Sequence, residues 1–509
     1  MEADSITSRE MRALEINAEY FGVSRLQLME NAGRSVAAEI STRFPSKKTR
    51  IVLFCGLGGN GGDGFVAARH LISMGYSVKL VVAGRSVCIK HDEALRNWLA
   101  LKALLDRIEV NQVTDSSEIR EEKADVAVDA LLGLGLKCIP RQPIASLIEA
   151  INQMQTFRLA IDIPSGLDSD TGDVMQQAVK ADLTVTFHKP KPGLLHSKVF
   201  VGELLVRDIG LPDAFENFAG PGDVGLVRKD RPDESHKGDF GKLLVVGGNE
   251  TFVGAPLLVA MAAFRTGIDL VYVAAPEKTA HEISSMDPSI ITLKLEGKHL
   301  NEGNIPQIRQ FLEKATAAVV GPGLGLHEET RRAVAEVVVA AEDLGIPLVL
   351  DADGLKAFAE FKRPLKIPLV LTPHTGEYFT LTEKELPSNL EERIKKVRKT
   401  AAHLKAVVLL KGQTDIISDG ERVKINFSGN PGMTVGGTGD VLSGIVGAYV
   451  SQNSNPFEAA VAGAFINGAA GDFVTREKGH HMIPADLLDW IPKIIDNPMS
   501  HMKVRKSEF

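Results

Sequence analysis

Cysteine is scarce in this chain: Cys55, Cys88 and Cys138 are the only three among 509 residues. An odd count at that spacing supplies neither a disulfide framework nor a zinc site, and each thiol reads as a small core residue. Aromatic side chains are also few, at 6%, which argues against platforms on which nucleic-acid bases stack. There is no long basic block, and the formal net charge is −7. A nucleic-acid or anionic-membrane partner therefore has no electrostatic footprint. No apolar run approaches the ~18 residues that suggest a membrane span. The N-terminus, MEADSITSREMRALE, is charged and lacks the apolar core of a secretory signal. The cytoplasm is the default expectation.

Glycine is plentiful by contrast, with 47 residues, and hydrophobic residues make up 44% of the chain. Many glycines stand just after short apolar runs, where ligand loops of α/β proteins sit. At roughly 150 residues per domain the length predicts two to four domains. Two α/β blocks are readable. In the first, an amphipathic helix is expected over about 8–42, then a strand at 50–55, a Gly-rich loop, a helix at 65–74 and a strand at 77–83. Further apolar runs stand at 125–129, 158–163, 183–187 and 203–208. Short apolar runs separated by helical patterns predict βαβ units and a parallel sheet, with the loops after each strand on one ligand-binding edge. The segment 211–241 is rich in proline and charge and reads as the connection between domains. The second block restarts with strands at 242–246, 270–274, 318–320, 347–350, 369–371 and 406–410, and helices at 254–265, 441–450 and 456–473. The expected architecture is a three-layer Rossmann-like domain over 1–218 followed by a second α/β domain over 225–500.

The segment with the clearest chemistry is Asn430-Pro431-Gly432-Met433-Thr434-Val435-Gly436-Gly437-Thr438-Gly439-Asp440. Successive glycine N–H groups form a concave anion nest. The helix that follows presents its positive end at the same point, which favours a phosphate. Asp440 falls in the first turn of that helix, where a carboxylate can take a proton from a hydroxyl as a phosphoryl group arrives. The plain alternative is a Gly-rich loop with an ordinary helix-start aspartate.

The string resembles the phosphate-binding and catalytic loop of ribokinase-like kinases. Over about 225–495 the block is closer still to the ADP-dependent NAD(P)H-hydrate dehydratases. The likeness is carried by Gly247-Gly248-Asn249, Gly254-Ala255, Gly321-Pro322-Gly323-Leu324-Gly325, Asp351-Ala352-Asp353-Gly354-Leu355, Thr372-Pro373-His374-Thr375-Gly376-Glu377 and Lys411-Gly412-Gln413-Thr414-Asp415. The resemblance implies that Asp440 is the base and contacts the hydrate, with Ala255, Gly323 and His374 lining its pocket. It implies that Lys411, Gly412, Gln413, Thr414, Asp415 and Gly439 hold the nucleotide, with magnesium in this domain. On the bland reading, His374 caps a strand end, Lys411 is a surface lysine and Ala255 packs a helix. Asp351 and Asp353 read as an aspartate-rich turn rather than metal ligands. Where the family has G-A-G-L-V, this chain has Gly267-Ile268-Asp269-Leu270-Val271, which leaves the local turn open.

The first block carries Gly56-Leu57-Gly58-Gly59-Asn60-Gly61-Gly62-Asp63-Gly64 between a strand and a helix. It contains G-x-G-x-x-G, but the second strand ends Val82-Ala83-Gly84-Arg85, with no acidic residue for a ribose. Loops at Asp129–Gly135, Asp162–Asp168 and His188–Gly193 follow later strands. If the strands are parallel, Asn60, Asp129 and Ser165 converge and offer only hard oxygen ligands, which suit an alkali or alkaline-earth cation. Together, over about 8–210, these loops resemble the NAD(P)H-hydrate epimerase domain, often called the YjeF N-terminal domain. The resemblance implies potassium at Asn60, Asp129 and Ser165. It implies hydrate contacts from Gly59, Asn60, Gly61, Gly62 and Asp63, from Gly133, Leu134, Gly135, Leu136, Lys137, Cys138 and Ile139, and from Asp162, the candidate acid/base. Leu134 replaces the threonine usual in the second loop. The alternative roles are a turn for Asn60 and helix capping for Asp129 and Asp162. Lys189, Lys191, His480 and His481 read as surface or loop residues.

The fused order of the two domains implies a repair enzyme for hydrated NADH and NADPH. One domain would interconvert the R and S hydrates, and the other would consume ADP to restore NAD(P)H; ADP over ATP rests on the resemblance alone. A homo-oligomer without nucleic-acid or membrane partners is expected. The competing readings are a ribokinase-like small-molecule kinase with an accessory N-terminal module, and a non-catalytic binding role for that module.

Overall fold

The computed structural model describes residues 4–104, 108–135 and 139–505. The chain divides into two compact units, Met1–Phe215 and Glu216–Phe509.

In the first unit seven strands form one parallel sheet: β1 (Arg50–Cys55), β2 (Ser77–Ala83), β3 (Glu109–Val113), β4 (Val126–Ala130), β5 (Phe157–Ile161), β6 (Leu183–Phe187) and β7 (Glu203–Arg207). The spatial order is β3-β2-β1-β4-β5-β6-β7. The order reverses between β1 and β4, so the loops leaving those two strands part and open a crevice at the carboxyl edge. Alternation along β1 explains the layers. Ile51, Leu53 and Cys55 join one apolar cluster, and Val52 and Phe54 join the other, with Leu147, Ile148 and Ile151.

The single long helix expected over 8–42 is two helices, Ser8–Phe21 and Arg25–Arg43. Gly22 ends the first in the left-handed region at φ 106°, and Ser24 with Gln27 forms a capping box that starts the second. The helix expected from 65 begins at Gly59 and runs to Ser73, so the glycines form its first turn rather than a loop.

The second unit holds a nine-stranded sheet: β8 (Lys242–Val246), β9 (Leu270–Pro276), β10 (Ile291–Leu295), β11 (Ala317–Val320), β12 (Leu348–Leu350), β13 (Leu369–Leu371), β14 (Val407–Leu410), β15 (Asp415–Ser418) and β16 (Val423–Asn426). Its order is β10-β9-β8-β11-β12-β13-β14-β15-β16. The sheet is mixed, not wholly parallel: β15 runs antiparallel to both β14 and β16. Asp419-Gly420 makes the turn of that hairpin, with Gly420 at φ 100°. The helices Thr438–Ser451 and Pro456–Lys478 are buried along most of their length. Gly444 and Gly447 let the first of these lie against Val259 and against Val319 and Leu243, where a Cβ would come within 2.4 and 2.5 Å of its neighbours.

The segment expected as a connection is largely structured. Ala219 N donates to Ile425 O at 2.9 Å, helix Pro221–Val227 is mostly buried, and Asp223 pairs with Lys424 at 3.0 Å. Residues 216–227 therefore belong to the second unit. Asp269, which stands for a family glycine, secures the chain locally. Its carboxylate accepts from Gly238 N and Phe240 N and pairs with Arg231 at 3.0 Å.

Candidate active sites

In the first unit the loops after β1 and β4 abut closely. A Cβ on Gly56 would lie 2.0 Å from Leu131 O, and one on Gly61 would lie 2.0 Å from Gly56 O. This approach sets Asn60 in the first helical turn against the β4 loop, and its amide donates to Leu132 O at 2.8 Å. Its Oδ1 is buried and has no hydrogen-bond partner among the described residues. Asp129, fully buried at the end of β4, accepts from Ser165 N at 2.7 Å and from Ser165 Oγ at 2.6 Å. Ser165 Oγ also accepts from Leu132 N at 2.9 Å. Burial pushes Asp129 up to about 6 despite those hydrogen bonds. Asn60, Asp129 and Ser165 thus meet around Leu132. A buried amide oxygen without a hydrogen-bond partner and a buried carboxylate, linked through Leu132 and Ser165, offer the hard oxygen donors that a hard cation takes.

Asp162 follows β5 with φ 62°, a left-handed conformation unusual outside glycine. Its backbone N–H is fixed to Val185 O at 2.8 Å. Its carboxylate accepts from Lys191 Nζ at 2.7 Å and from Thr186 Oγ1 at 3.0 Å. Lys191 is no surface lysine: it is 1% exposed, and Nζ also donates to Thr186 Oγ1 and Phe187 O. Lys189 is partly buried and pairs with Asp4 at 3.0 Å. Gly59, Asp63, Leu134, Asp162 and Lys191 line one cavity of about 120 Å³. Gly133 packs beside Asn60, while Ile139 is 57% exposed. Leu136, Lys137 and Cys138 lie outside the described residues. A larger cavity of about 680 Å³ sits at Arg50, Ile119–Ala124 and Gln153–Thr156. Those residues mark the opposite, amino edge of the sheet, and none of the expected site residues borders it.

In the second unit Gly437, at φ 107°, precedes the helix Thr438–Ser451. A side chain there would also strike Pro484 and Leu258. The glycine turn leaves the N–H groups of the first helical turn free to face an anion. Asp440 lies in that turn, and burial followed by the charge of Asp351 pushes it up to about 7. Beside it is a buried ion pair. Lys411 Nζ donates to Asp351 Oδ1 at 2.8 Å, and Ser443 Oγ donates to Asp351 Oδ2 at 2.5 Å. Burial alone would raise Asp351, but Lys411 overrides it and holds the carboxyl below its ordinary value. Burial would likewise lower Lys411, but Asp351, Glu377 and Asp440 together raise it. Asp351 is therefore more than part of an aspartate-rich turn. Asp353 is closer to that expectation: it accepts from Gly325 N at 2.9 Å and from Lys356.

Lys411 N bonds to Pro373 O at 2.8 Å, which ties the His374 and Lys411 loops together. His374 caps the helix Thr375–Thr382: its Nδ1 accepts from Gly376 N at 3.0 Å, while 58% of its side chain is exposed. Gly439 stands over Lys411, whose Nζ would be 3.3 Å from a Cβ there. Gly412 and Gln413 are exposed on the β14–β15 turn. Asp415 points inward, accepting from Gly412 N and Asn426 Nδ2, and burial pushes it up to about 6. Gly323 adjoins Ala255 and Phe252. Two residues that shape the loop have no forerunner among the motifs. Asp472 accepts from Gly429 N at 2.9 Å and Asn430 Nδ2 at 2.8 Å, and it pairs with buried His501 at 2.9 Å.

Fold and sites together define a two-domain α/β protein, with a Rossmann-like parallel-sheet unit and a mixed-sheet unit that places a carboxylate in the first turn of a helix behind a glycine turn. Residues 25–193 match the family profile described as YjeF-related protein N-terminus, and residues 243–493 match that of NAD(P)H-hydrate dehydratase. The bifunctional NAD(P)H-hydrate repair enzyme Nnr of Pyrobaculum aerophilum is 44% identical over 499 residues, covering 97% of this chain and 98% of that one. That of Hyperthermus butylicus is 43% identical over 501 residues, covering 97% and 93%. The chain belongs to the family of bifunctional NAD(P)H-hydrate repair enzymes, with epimerase and dehydratase domains. Among solved structures, the ADP/ATP-dependent NAD(P)H-hydrate dehydratase of Bacillus subtilis, co-crystallised with ATP and Mg2+, aligns with a TM-score of 0.48 at 26% identity, over 55% of this chain and 98% of that one. Among the described residues no helix is long and apolar enough to cross a membrane.

Proposed function

We propose that the second unit uses ADP to phosphorylate the hydroxyl of the S hydrate of NADH or NADPH, and that phosphate then leaves to restore the dihydropyridine. Hydroxide is a poor leaving group and phosphate a good one, which is the reason for consuming a nucleotide. Asp440 takes the hydroxyl proton as the oxygen attacks the β-phosphorus of ADP, and AMP departs. Elimination then breaks the carbon–oxygen bond and releases phosphate and a ring proton. Lys411, Gly412, Gln413, Thr414, Asp415 and Gly439 hold the nucleotide, and Ala255, Gly323, His374 and Asp440 surround the hydrate. Magnesium arriving with the nucleotide supplies positive charge against its phosphates. The observation that carries this reading is the separation of roles at the helix start. Lys411 neutralises Asp351, while Asp440 is left with a proton affinity near neutrality.

The first unit epimerises the R and S hydrates, with Asp162 as an acid/base and Gly59, Asn60, Gly61, Gly62, Asp63 and Gly133–Ile139 around the substrate. Asn60, Asp129 and Ser165 hold potassium, a reading supported by the orphaned Asn60 Oδ1 and the buried carboxylate of Asp129. The test is the purified full chain with separated R and S hydrates, with ADP or ATP, and with or without potassium. Recovery of reduced-nicotinamide absorbance, with AMP and phosphate in equal amounts, is expected with S hydrate and ADP. No recovery with either nucleotide sinks the dehydratase assignment. A stable phosphorylated product formed from ATP would instead mark a small-molecule kinase.

A further inference from the structure

Glu15 takes no part in the roles assigned above, yet it borders the same cavity of about 120 Å³ as Asp63, Asp162 and Lys191. The helix that carries it, Ser8–Phe21, is fastened to the ligand edge of the sheet at several points. Ile6 N donates to Pro190 O at 3.0 Å. Ser8 N and Oγ both donate to the Asp170 carboxylate, each at 2.7 Å. The Arg12 guanidinium donates to Leu134 O. Those partners belong to the loops after β4, β5 and β6, so the helix forms a wall over that edge. Glu15 is one turn beyond Arg12 and shares its face. The remaining charged groups around it are Arg25 from the next helix, Asp63 and Glu93 from the two helices behind, and the Asp162–Lys191 pair.

We propose that Glu15 is a second catalytic residue of this pocket, exchanging a proton with the substrate hydroxyl from the helix side while Asp162 serves the sheet side. This rests on the reading of Asp162 given above. Water adds across an enamine double bond with its hydroxyl on the carbon attached to nitrogen, so the hydrate is a carbinolamine. Protonation of that hydroxyl by Glu15 lets the nitrogen lone pair expel it as water and leaves an iminium cation. A water molecule then adds to the opposite face and gives its proton to Asp162. One carbon–oxygen bond breaks and one forms, one proton is given and one taken, and no redox partner is needed. In the reverse direction the two carboxyls exchange roles. Burial, then the charge of Asp162, pushes Glu15 up to about 7, which suits a group that gives and takes protons at neutral pH. Asp63 is held well above the carboxylate range, by burial first, and serves as a neutral neighbour.

The experiment compares wild type, Glu15→Gln, Glu15→Asp and Asp162→Asn as full-length chains with potassium present. Interconversion of purified R and S hydrates is followed by chromatography across pH 5.5–9, with thermal melts as folding controls. Glu15→Gln is expected to lower kcat in both directions by about 10²-fold or more, with KM little changed. Its residual rate should lose the pH limb near 7, and Glu15→Asp should restore part of kcat. A Glu15→Gln rate within about threefold of wild type, or a loss confined to KM, overturns the proposal. If Glu15→Gln keeps its rate while Asp162→Asn loses it, the Asp162 reading stands and Glu15 drops out. If Asp162→Asn keeps its rate, the Asp162 reading fails and the two-sided scheme fails with it. In H₂¹⁸O the scheme requires label in the epimerised product, and its absence overturns the elimination–addition step.

Discussion

Each unit buries one lysine against one aspartate at its ligand edge, and the two lysines choose differently. In the first unit Lys191 takes Asp162, the aspartate assigned to chemistry, at 2.7 Å. In the second Lys411 takes Asp351 at 2.8 Å, and among the described residues no cation pairs directly with Asp440. Carboxyls that the lysine leaves aside are the ones burial pushes upward: Glu15 to about 7 and Asp63 well above the carboxylate range in the first unit, and Asp440 to about 7 in the second. A lysine at such a site therefore decides which acid is held in a buried ion pair and which is left for burial to push upward. Attacking a phosphorus needs one base on one oxygen. Inverting a carbon needs proton exchange from two sides, so both the paired and the unpaired carboxyl are useful there.

The largest effect should come from removing the free carboxyl. Asp440→Asn is expected to lower dehydration by roughly 10²- to 10⁴-fold, the usual range for a lost general base. The same change should stabilise the fold above neutral pH. A carboxyl whose folded value is raised stabilises the protein while protonated, and this contribution is lost as pH rises from about 4 to about 7. At pH 8 the native state carries a buried charge that asparagine would not, so Asp440→Asn should be the more stable protein there, by at most about 4 kcal/mol, and should unfold at higher temperature. An unchanged rate in a stopped assay with S hydrate and ADP removes Asp440 from the mechanism.

Asp351→Asn turns the second unit toward the arrangement of the first. Without Asp351, the ammonium of Lys411 has Glu377 at 3.9 Å and Asp440 as its remaining acidic neighbours. Breaking a buried pair costs about 3–5 kcal/mol when a charge is stranded, and re-pairing with Asp440 would offset part of that. The clearer readout is the pH profile. Asp351 raises Asp440 and Lys411 lowers it, so the ascending limb near 7 should move to lower pH in Asp351→Asn. A limb that stays in place would mean that burial alone sets the proton affinity of Asp440.

Much of this was legible in the sequence because both ligand edges are built from glycine motifs that follow apolar strands. The loops at Gly56–Gly64 and Asn430–Asp440 announce close backbone approach and helix-start anion sites without reference to the rest of the chain. Two edge strands were not legible: β3 and β10 expose or half-expose most of their residues and lack the continuous apolar run of a central parallel strand, whereas the edge strand β7, though also largely exposed, shows through the apolar run at 203–208. The antiparallel hairpin is signalled by Asp419-Gly420 between apolar runs, though the strands on either side are only four residues long. The helix break at Gly22 is signalled too, by its capping residues Ser24 and Gln27, but the apolar periodicity runs on across it. Lys191 looked like a loop lysine because its burial depends on Asp162, 29 residues earlier. Glu15 is set into the pocket by contacts to Leu134, Asp170 and Pro190, which no local pattern reveals.

The cation site gives a smaller, graded effect that also separates the units. Asp129 sits at about 6 without a cation, and protonation competes with ion binding. As pH falls through about 6, the potassium needed for half-maximal epimerisation should rise, whereas at pH 8 it should reach its floor. Asp129→Asn should remove the potassium response of epimerisation. If potassium has no effect on wild-type epimerisation at pH 8, the site at Asn60, Asp129 and Ser165 does not hold a functional cation.

The smallest expected effect tests how the phosphate loop is held. Asp472 collects Gly429 N, Asn430 Nδ2 and His501. Asn430 in turn accepts from Gly432 N at 2.9 Å and Thr475 Oγ1 at 2.8 Å. Asp472→Asn keeps the size of the side chain and removes its charge. One amide oxygen can still accept, but the second position becomes a donor that faces the donors of the loop. Loss of a charge-assisted hydrogen bond predicts a cost of about 1.5–3 kcal/mol in stability. None of these atoms is assigned to transfer a proton to substrate, so the loss of activity should appear mainly as a raised KM for ADP. Epimerisation is expected to keep its rate. A fall in kcat as large as that of Asp440→Asn would mean that the Asp472–His501 pair governs the chemical step, and not only the shape of the loop proposed to receive the nucleotide.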